Sequence, residues 1–184
     1  MSADYQRLVS KVDEASKGIT ERRASDLACR AGCAGCCHVE LTVADVEAAA
    51  IDHYLGTMDP RLRARVADRA ALPSVEAGRC VMLDDDDRCA VHPARPLVCR
   101  TQGLPLLYPD GLIPAEAIRL RTSRGDVTVC PLNFVEHAPT AEDMIDAGQI
   151  DTMLALIARL DAEKRHVTPG QRTPLREIAR RRPR

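Results

Sequence analysis

The stretch CRAGCAGCCHVELTVADVEAAA, residues 29–50, decides how the rest of the chain reads. It opens with Cys29-x3-Cys33-x2-Cys36-Cys37 and runs into an alanine-rich helical pattern. On a helix, steps of four and three keep side chains on one face, so Cys29, Cys33 and Cys36 converge there. Gly32 and Gly35 favour a loop instead, because glycine weakens a helix and lets the backbone approach a bound ion closely. Thiolates converge in either conformation. Cys36 and Cys37 are adjacent, and neighbouring side chains diverge on regular helix or strand. One of them is then a buried structural thiol, or the two serve different centres.

A second stretch, CVMLDDDDRCAVHPARPLVCR at residues 80–100, adds Cys80, Cys89 and Cys99. It reads as a hairpin. With a two-residue turn at Asp84-Asp85, Cys80 stands opposite Cys89, where cross-strand Cβ atoms are roughly 4.5–5.5 Å apart. Cys130 completes a set of eight cysteines, formally enough for two four-thiolate sites. His38 and His92 are further candidate ligands. Arg95 and Arg100 flank thiolates and suit the role of counter-charge, with a surface ion pair as the plainer reading.

Bulk composition supports metal rather than disulfides. The N-terminus is charged throughout and has no apolar core of the kind a secretory signal carries, and no apolar run reaches membrane-spanning length. A cytoplasmic protein is expected, and thiols there are kept reduced. The 184 residues are 45% hydrophobic and 29% charged, with net charge −1, and this balance calls for neither nucleic acid nor membrane. No particular protein or small-molecule partner is named by the sequence. Aromatics make up only 2%, so the core is expected to be aliphatic and fixed in part by the metal centre. A structural metal contributes roughly 10–16 kcal/mol in small peptides, comparable with the roughly 5–15 kcal/mol net stability of a domain.

The remaining pattern places four helices. Residues 4–26 repeat apolar side chains at helical steps. Thr42 is read as the cap of a helix reaching Leu55, and Asp59-Pro60 starts another reaching Leu72. Thr140 is read as the cap of a last long helix, with Ile145, Ile150, Met153, Leu154, Ile157 and Leu160 on its buried face. A second hairpin is expected at residues 117–129. The organisation expected is an N-terminal helical arm (1–28), a cysteine-cluster domain (29–138), a C-terminal helix (139–166) and a mobile basic tail (167–184). The fold class is α+β, mostly helical, with a cysteine-rich loop and hairpin centre clamped by helices.

Other residues have plainer readings. The aspartates at 84–87 suit a solvated hairpin tip better than a hard-cation site. His53, His137 and His166 read as ordinary surface or helix-face residues. Cys37 and His38, as sequence neighbours, lack the geometry of a nucleophile and its base. The basic tail has no interleaved aromatics for stacking nucleic-acid bases.

These two cysteine stretches together resemble the CxxCxxCC, or YkgJ-type, cysteine-cluster family of zinc- or iron-chelating domains. The likeness covers about residues 29–100, and VCPLNF at residues 129–134 is similar more loosely. The chain departs from the plain pattern in having three residues between Cys29 and Cys33. The resemblance implies Cys29, Cys33, Cys36, Cys37, Cys80, Cys89 and Cys99 as metal ligands, and the cysteine count with the Cys-Pro context adds Cys130. It implies zinc or an iron–sulfur cluster, the latter slightly preferred. Relatives similar to flagellin lysine-N-methylase supply an iron–sulfur-dependent protein methylase as the alternative function. A zinc-stabilised binding module or a metal-handling protein is the other.

Overall fold

A computed structural model of the chain describes residues 2–72, 78–109, 112–113, 119–122 and 124–181. Its elements run α1 (Ala3–Arg22), β1 (Thr42–Ala44), α2 (Asp45–Thr57), α3 (Pro60–Ala71), α4 (Leu97–Thr101), β2 (Leu106–Leu107), β3 (Arg119–Thr122), β4 (Gly125–Thr128), β5 (Ile145–Asp146), α5 (Ala147–Lys164), β6 (Arg172–Pro174) and α6 (Leu175–Arg180). This is the mostly helical α+β class that the sequence predicts. The chain divides into two compact units. Among the described residues no helix is long and apolar enough to cross a membrane.

The first unit comprises Met1–Gln6, Ala31–Pro96 and Ala155–Arg184. Its core is aliphatic, built from Val43, Ile51, Leu55, Val66, Val81, Met82, Val91, Leu175 and Ile178, with Tyr54, Cys80 and Cys89 packed at its edge. Helix α3 starts where expected: the Asp59 side chain accepts the Arg61 and Leu62 amides at 2.9 and 3.3 Å, ahead of Pro60. Helix α2 does not start at Thr42. Residues 42–44 instead pair antiparallel with residues 172–174 as β1 and β6, which displaces the helix start by two residues. The cap is Ala44, whose amide donates to Glu47 Oε2 at 3.0 Å.

That pairing also corrects the reading of a mobile basic tail. Residues 172–180 form β6 and α6, and Leu175, Ile178 and Ala179 are buried at helical spacing. The arginines face backbone. Arg176 Nη1 donates to the carbonyls of Ala70 and Leu72 at 3.0 and 2.9 Å, and Arg180 Nε to Ala70 at 2.8 Å. They satisfy orphan carbonyls at the end of α3 and complement its dipole. From the other end of α3, buried Arg63 donates to the Arg181 carbonyl at 2.6 Å. Single-residue pattern reading sees only a run of positive charge here, because the partners of these arginines lie a hundred residues earlier.

The second unit comprises Arg7–Arg30 and Leu97–Leu154. Its sheet has the strand order β3-β4-β2-β5, with β2 and β5 parallel and the other pairs antiparallel. The expected second hairpin is β3 and β4, although Ala117, Ile118 and Ser123 lie outside the described residues. Ile19, Leu104, Leu106, Val129, Phe134 and Ile145 form the core. Thr140 does make a capping box, its amide and hydroxyl both donating to Asp143 at 2.9 Å, but around the single turn Ala141–Asp143. Ile145 is drawn into β5, so α5 begins at Ala147 with Asp146 Oδ1 accepting the Gln149 amide at 2.8 Å. Along α5, Leu154 and Ile157 are buried as expected, whereas Met153 and Leu160 are 42% exposed.

Ile178 is fully buried in α6. Ile178→Ala is expected to lower unfolding stability by about 2–5 kcal/mol, as core truncations do, in chemical denaturation of the full chain. A free tail would leave the transition where it is.

Candidate metal centre

All eight cysteines are free thiols. Cys33, Cys36, Cys37, Cys80 and Cys89 fall in the first unit, and Cys29, Cys99 and Cys130 in the second.

In the first unit, the segment carrying Cys33 is a loop rather than a helix, with Gly32 at φ 84° in a turn. Positive φ is the conformation that only glycine adopts freely. Cys36 and Cys37 sit in a single 3₁₀ turn, Gly35–Cys37, closed by the Cys37 amide on the Ala34 carbonyl at 2.8 Å. Neither is buried. Their sulfurs lie within hydrogen-bonding reach, and this contact, followed by burial and the charge of Cys37, pushes the Cys36 thiol far up from its ordinary value. The divergence expected of adjacent cysteines is therefore not met. One irregular turn does not impose the side-chain spread of a long helix or strand.

The two cysteine motifs are joined by backbone. The Cys80 amide donates to the Cys37 carbonyl at 2.8 Å. Gly78, at φ 91°, makes this approach possible: a Cβ there would stand 3.0 Å from the His38 carbonyl oxygen. Beyond Cys80 the chain turns, with Leu83 N on Cys80 O at 3.1 Å, and then forms a narrow hairpin in which Leu83 stands opposite Cys89. The expected register, Cys80 opposite Cys89, assumed a two-residue loop. The loop is five residues, 84–88, closed by Asp84 N on Arg88 O at 2.9 Å. The two thiols nevertheless sense each other's charge, because the turn at Cys80 brings it back toward Cys89.

Each of these thiols faces a backbone donor. Burial raises the Cys80 thiol, opposed by the Met82 amide and the charge of Arg79. Burial raises Cys89 likewise, opposed by the Val91 amide; Cys80 adds to the rise and Arg95 opposes it. Amide hydrogen bonds to sulfur favour the thiolate, the form that ligates metal. Arg95 thus acts as the counter-charge expected of it. Arg100 Nη1 pairs with Asp13 at 2.6 Å, the ion pair of the plainer reading. His38 is exposed, and His92 Nε2 lies 2.8 Å from Arg95 Nη1.

Three of the four aspartates, Asp84, Asp85 and Asp87, are spent on the loop and on arginines. Asp84 Oδ1 accepts the amides of Asp86 and Arg88 at 3.0 and 2.8 Å. Asp85 pairs with Arg65 at 2.9 Å, and Asp87 with Arg79, whose Nη2 also reaches the Asp84 carbonyl at 2.7 Å. Asp87 itself is at φ 59°. This is a rigid tip and not a hard-cation cage.

In the second unit Cys29 and Cys130 come together over Gly103, with Asn133 beside them. Asn133 Nδ2 is 3.4 Å from Cys29 Sγ. A Cβ on Gly103 would stand 3.3 Å from Cys29 Sγ and 3.7 Å from Cys130 Cβ. Cys99 lies on α4, one turn before Gly103. Asn133 was missed in the sequence. Its signal was the turn chemistry of Cys130-Pro131-Leu132-Asn133, proline following the first residue of a turn, closed by Asn133 N on Cys130 O at 3.0 Å. Among the described residues no three His, Cys, Asp or Glu side chains gather closely enough to hold an ion. What is assembled is a set of thiol pairs.

The donor set and its surroundings suit a soft or borderline cation. The side chains gathered are thiols with amide donors aimed at sulfur, which select zinc or iron over calcium or magnesium.

The Arg88 amide holds the Asp84 carboxyl below its ordinary value against the opposing effect of burial, with a smaller contribution from the Asp86 amide. A depressed folded-state value means that the carboxylate steadies the loop above about pH 4 and loses this as pH falls through its own titration. Carbon-13 NMR of the Asp84 carboxyl should give a midpoint below the ordinary range. At neutral pH, Asp84→Ala should release the Arg88 amide to hydrogen exchange. An ordinary midpoint with unchanged protection would contradict this account of the loop.

Residues 28–109 match the profile of a family described as CxxCxxCC, "putative zinc- or iron-chelating domain". This covers the two motifs through Cys99 and leaves Cys130 outside. No curated protein and no solved structure matches the chain. The cysteine segment of this protein, residues 28–109, is thus similar to the CxxCxxCC family of that description.

Proposed function

We propose that this protein holds a metal centre through cysteine thiolates, as an iron–sulfur centre in the first reading and as zinc in the second. One observation carries the proposal: Cys80 and Cys89 each face a backbone amide, and the Cys80 amide ties them to Cys37. Half-buried thiols without a metal remain protonated, so metal must displace protons to bind. The amides and the guanidiniums of Arg79 and Arg95 lower the cost of that displacement.

Iron–sulfur clusters take cysteine ligation almost exclusively. The donors here are thiols, and His92 is engaged with Arg95. The contact between Cys36 and Cys37 adds a closely spaced pair. For zinc, the supporting observation is the pair of short loops that begin at Cys80 and Cys89, since amide-braced cysteine pairs are equally a structural zinc arrangement. The centre supplies electron transfer in the first reading and structural rigidity in the second. The chain's own residues hold the sulfurs, balance their charge and fix the loops.

Metal and acid-labile sulfide analysis of the full chain purified without oxygen separates the readings. Iron with near-equal sulfide is expected, and Cys89→Ser should lower the iron content. Stoichiometric zinc without sulfide would overturn the iron reading in favour of zinc. Neither metal, with thermal unfolding unchanged by a chelator, would overturn both.

A further inference from the structure

Asn133 is 3% exposed, and its amide is fully engaged. The Ala28 amide donates to Oδ1 at 2.9 Å, and Nδ2 donates to the Gly103 carbonyl at 2.8 Å and to Cys29 Sγ at 3.4 Å. The two backbone partners fix which way round the amide sits. An N–H can only donate and a carbonyl can only accept, so the group facing sulfur is the NH₂. A protonated Cys29 thiol can also reach Oδ1, at the longer distance of 3.8 Å. A thiolate has only the donor contact available.

Gly103 is the floor of this arrangement. It sits at φ 93°, and a Cβ there would come within 3.3 Å of both Asn133 Nδ2 and Cys29 Sγ. Its carbonyl accepts Asn133 Nδ2 and, at 3.5 Å, the Cys130 amide. The turn from Cys130 to Asn133 then returns the asparagine to Cys29. Three separated segments are tied together so that the Cys29 sulfur and the Cys130 Cβ meet over one bare patch of backbone, with a neutral donor aimed at the sulfur. The two backbone partners use the carbonyl oxygen and one N–H of the amide, which leaves the second N–H for the sulfur. The third bond serves the cysteine.

We propose that Cys29 and Cys130 are a ligand pair for zinc or iron in the second unit, and that Asn133 is the positioning residue that orients the Cys29 sulfur. The inference rests on the metal-binding reading above and extends it to Cys130 and Asn133, which lie beyond the matched segment. Outer hydrogen-bond partners of this kind orient ligands and typically change metal affinity about 10- to 100-fold.

The test uses zinc alone as the probe, with the full chain as purified after metal removal. Native alkylation with iodoacetamide, read cysteine by cysteine in a mass spectrometer, reports which sulfurs the zinc covers. Zinc is expected to slow modification of Cys29 and Cys130 about tenfold or more. Asn133→Asp keeps the shape and the acceptor for Ala28 but replaces the donor. It should expose Cys29 and Cys130 while Cys80 and Cys89 stay covered. Gly103→Ala should expose the same pair without removing any hydrogen-bonding group. The proposal falls if Asn133→Asp leaves Cys29 covered, or if both variants release all eight cysteines together, as a purely structural role would. Wild-type protein in which zinc covers Cys80 and Cys89 but not Cys29 and Cys130 overturns this inference and leaves the metal reading standing. Zinc that covers no cysteine at all sinks the metal reading itself, and the pair with it.

Discussion

The bond from the Cys80 amide to the Cys37 carbonyl, at 2.8 Å, is the constraint on which the cysteine segment of the first unit depends. It joins two motifs that the sequence presents as separate. Its geometry dictates a residue without a side chain at position 78, since a Cβ there would meet the His38 carbonyl. It fixes where the chain leaves Cys80, and the tight turn that follows aims the Met82 amide at the Cys80 sulfur. A backbone bond suits this work better than a side-chain contact. It carries no rotamer freedom of its own, so it fixes the backbone of the donor residue and leaves only χ1 to place the sulfur.

The same economy governs the rest of that unit. With Tyr54 at the edge of its core and Tyr5 buried, it has few large aromatic anchors among the described residues. Aliphatic packing is supplemented by arginines directed at backbone carbonyls: Arg176 and Arg180 at the end of α3, Arg63 at the end of α6, and Arg79 on the loop at 84–88. A guanidinium presents several donors in a planar fork, so it satisfies helix-end carbonyls and supplies the charge that their dipole favours. Arg176 and Arg180 of the C-terminal segment are structural for this reason.

Local signals were legible where the deciding chemistry lies within a few residues. Asp59-Pro60 announces α3, and alternating apolar residues announce β3 and β4. The aliphatic core follows from counting aromatics. What failed to show was set by distant partners. Thr42 looks like a cap and Asp45 completes the pattern, yet pairing with residues 172–174 claims Thr42 for a strand. Ile145 looks like the first buried residue of a helix, yet β2 takes it into the sheet. At the site, the identity of the cysteines was plain, but the hairpin register hinged on loop length. That length was set by Asp84 binding the Asp86 and Arg88 amides, a choice that four consecutive aspartates do not reveal. Asn133 stayed hidden because its partners are Ala28, Cys29 and Gly103, each remote in sequence.

The charge arrangement around Cys80 and Cys89 follows from what burial does to a thiol. Taking sulfur out of water favours the neutral form, and two neighbouring thiolates oppose each other further. Amide donors offset part of this without adding charge, and Arg79 and Arg95 add a smaller contribution of opposite charge. Arg79 is shared: its guanidinium also holds Asp87 and the Asp84 carbonyl, and this ties its position to the loop. Loop order and thiolate stability are therefore one property rather than two. The acidic tip is needed to hold the arginine, and the arginine is needed by the sulfur beside it. Cys29 differs in being offered a neutral donor, Asn133, in place of a guanidinium. Its sulfur is exposed, so water already carries much of the solvation that the half-buried pair has lost, and orientation rather than charge is what remains for the protein to supply.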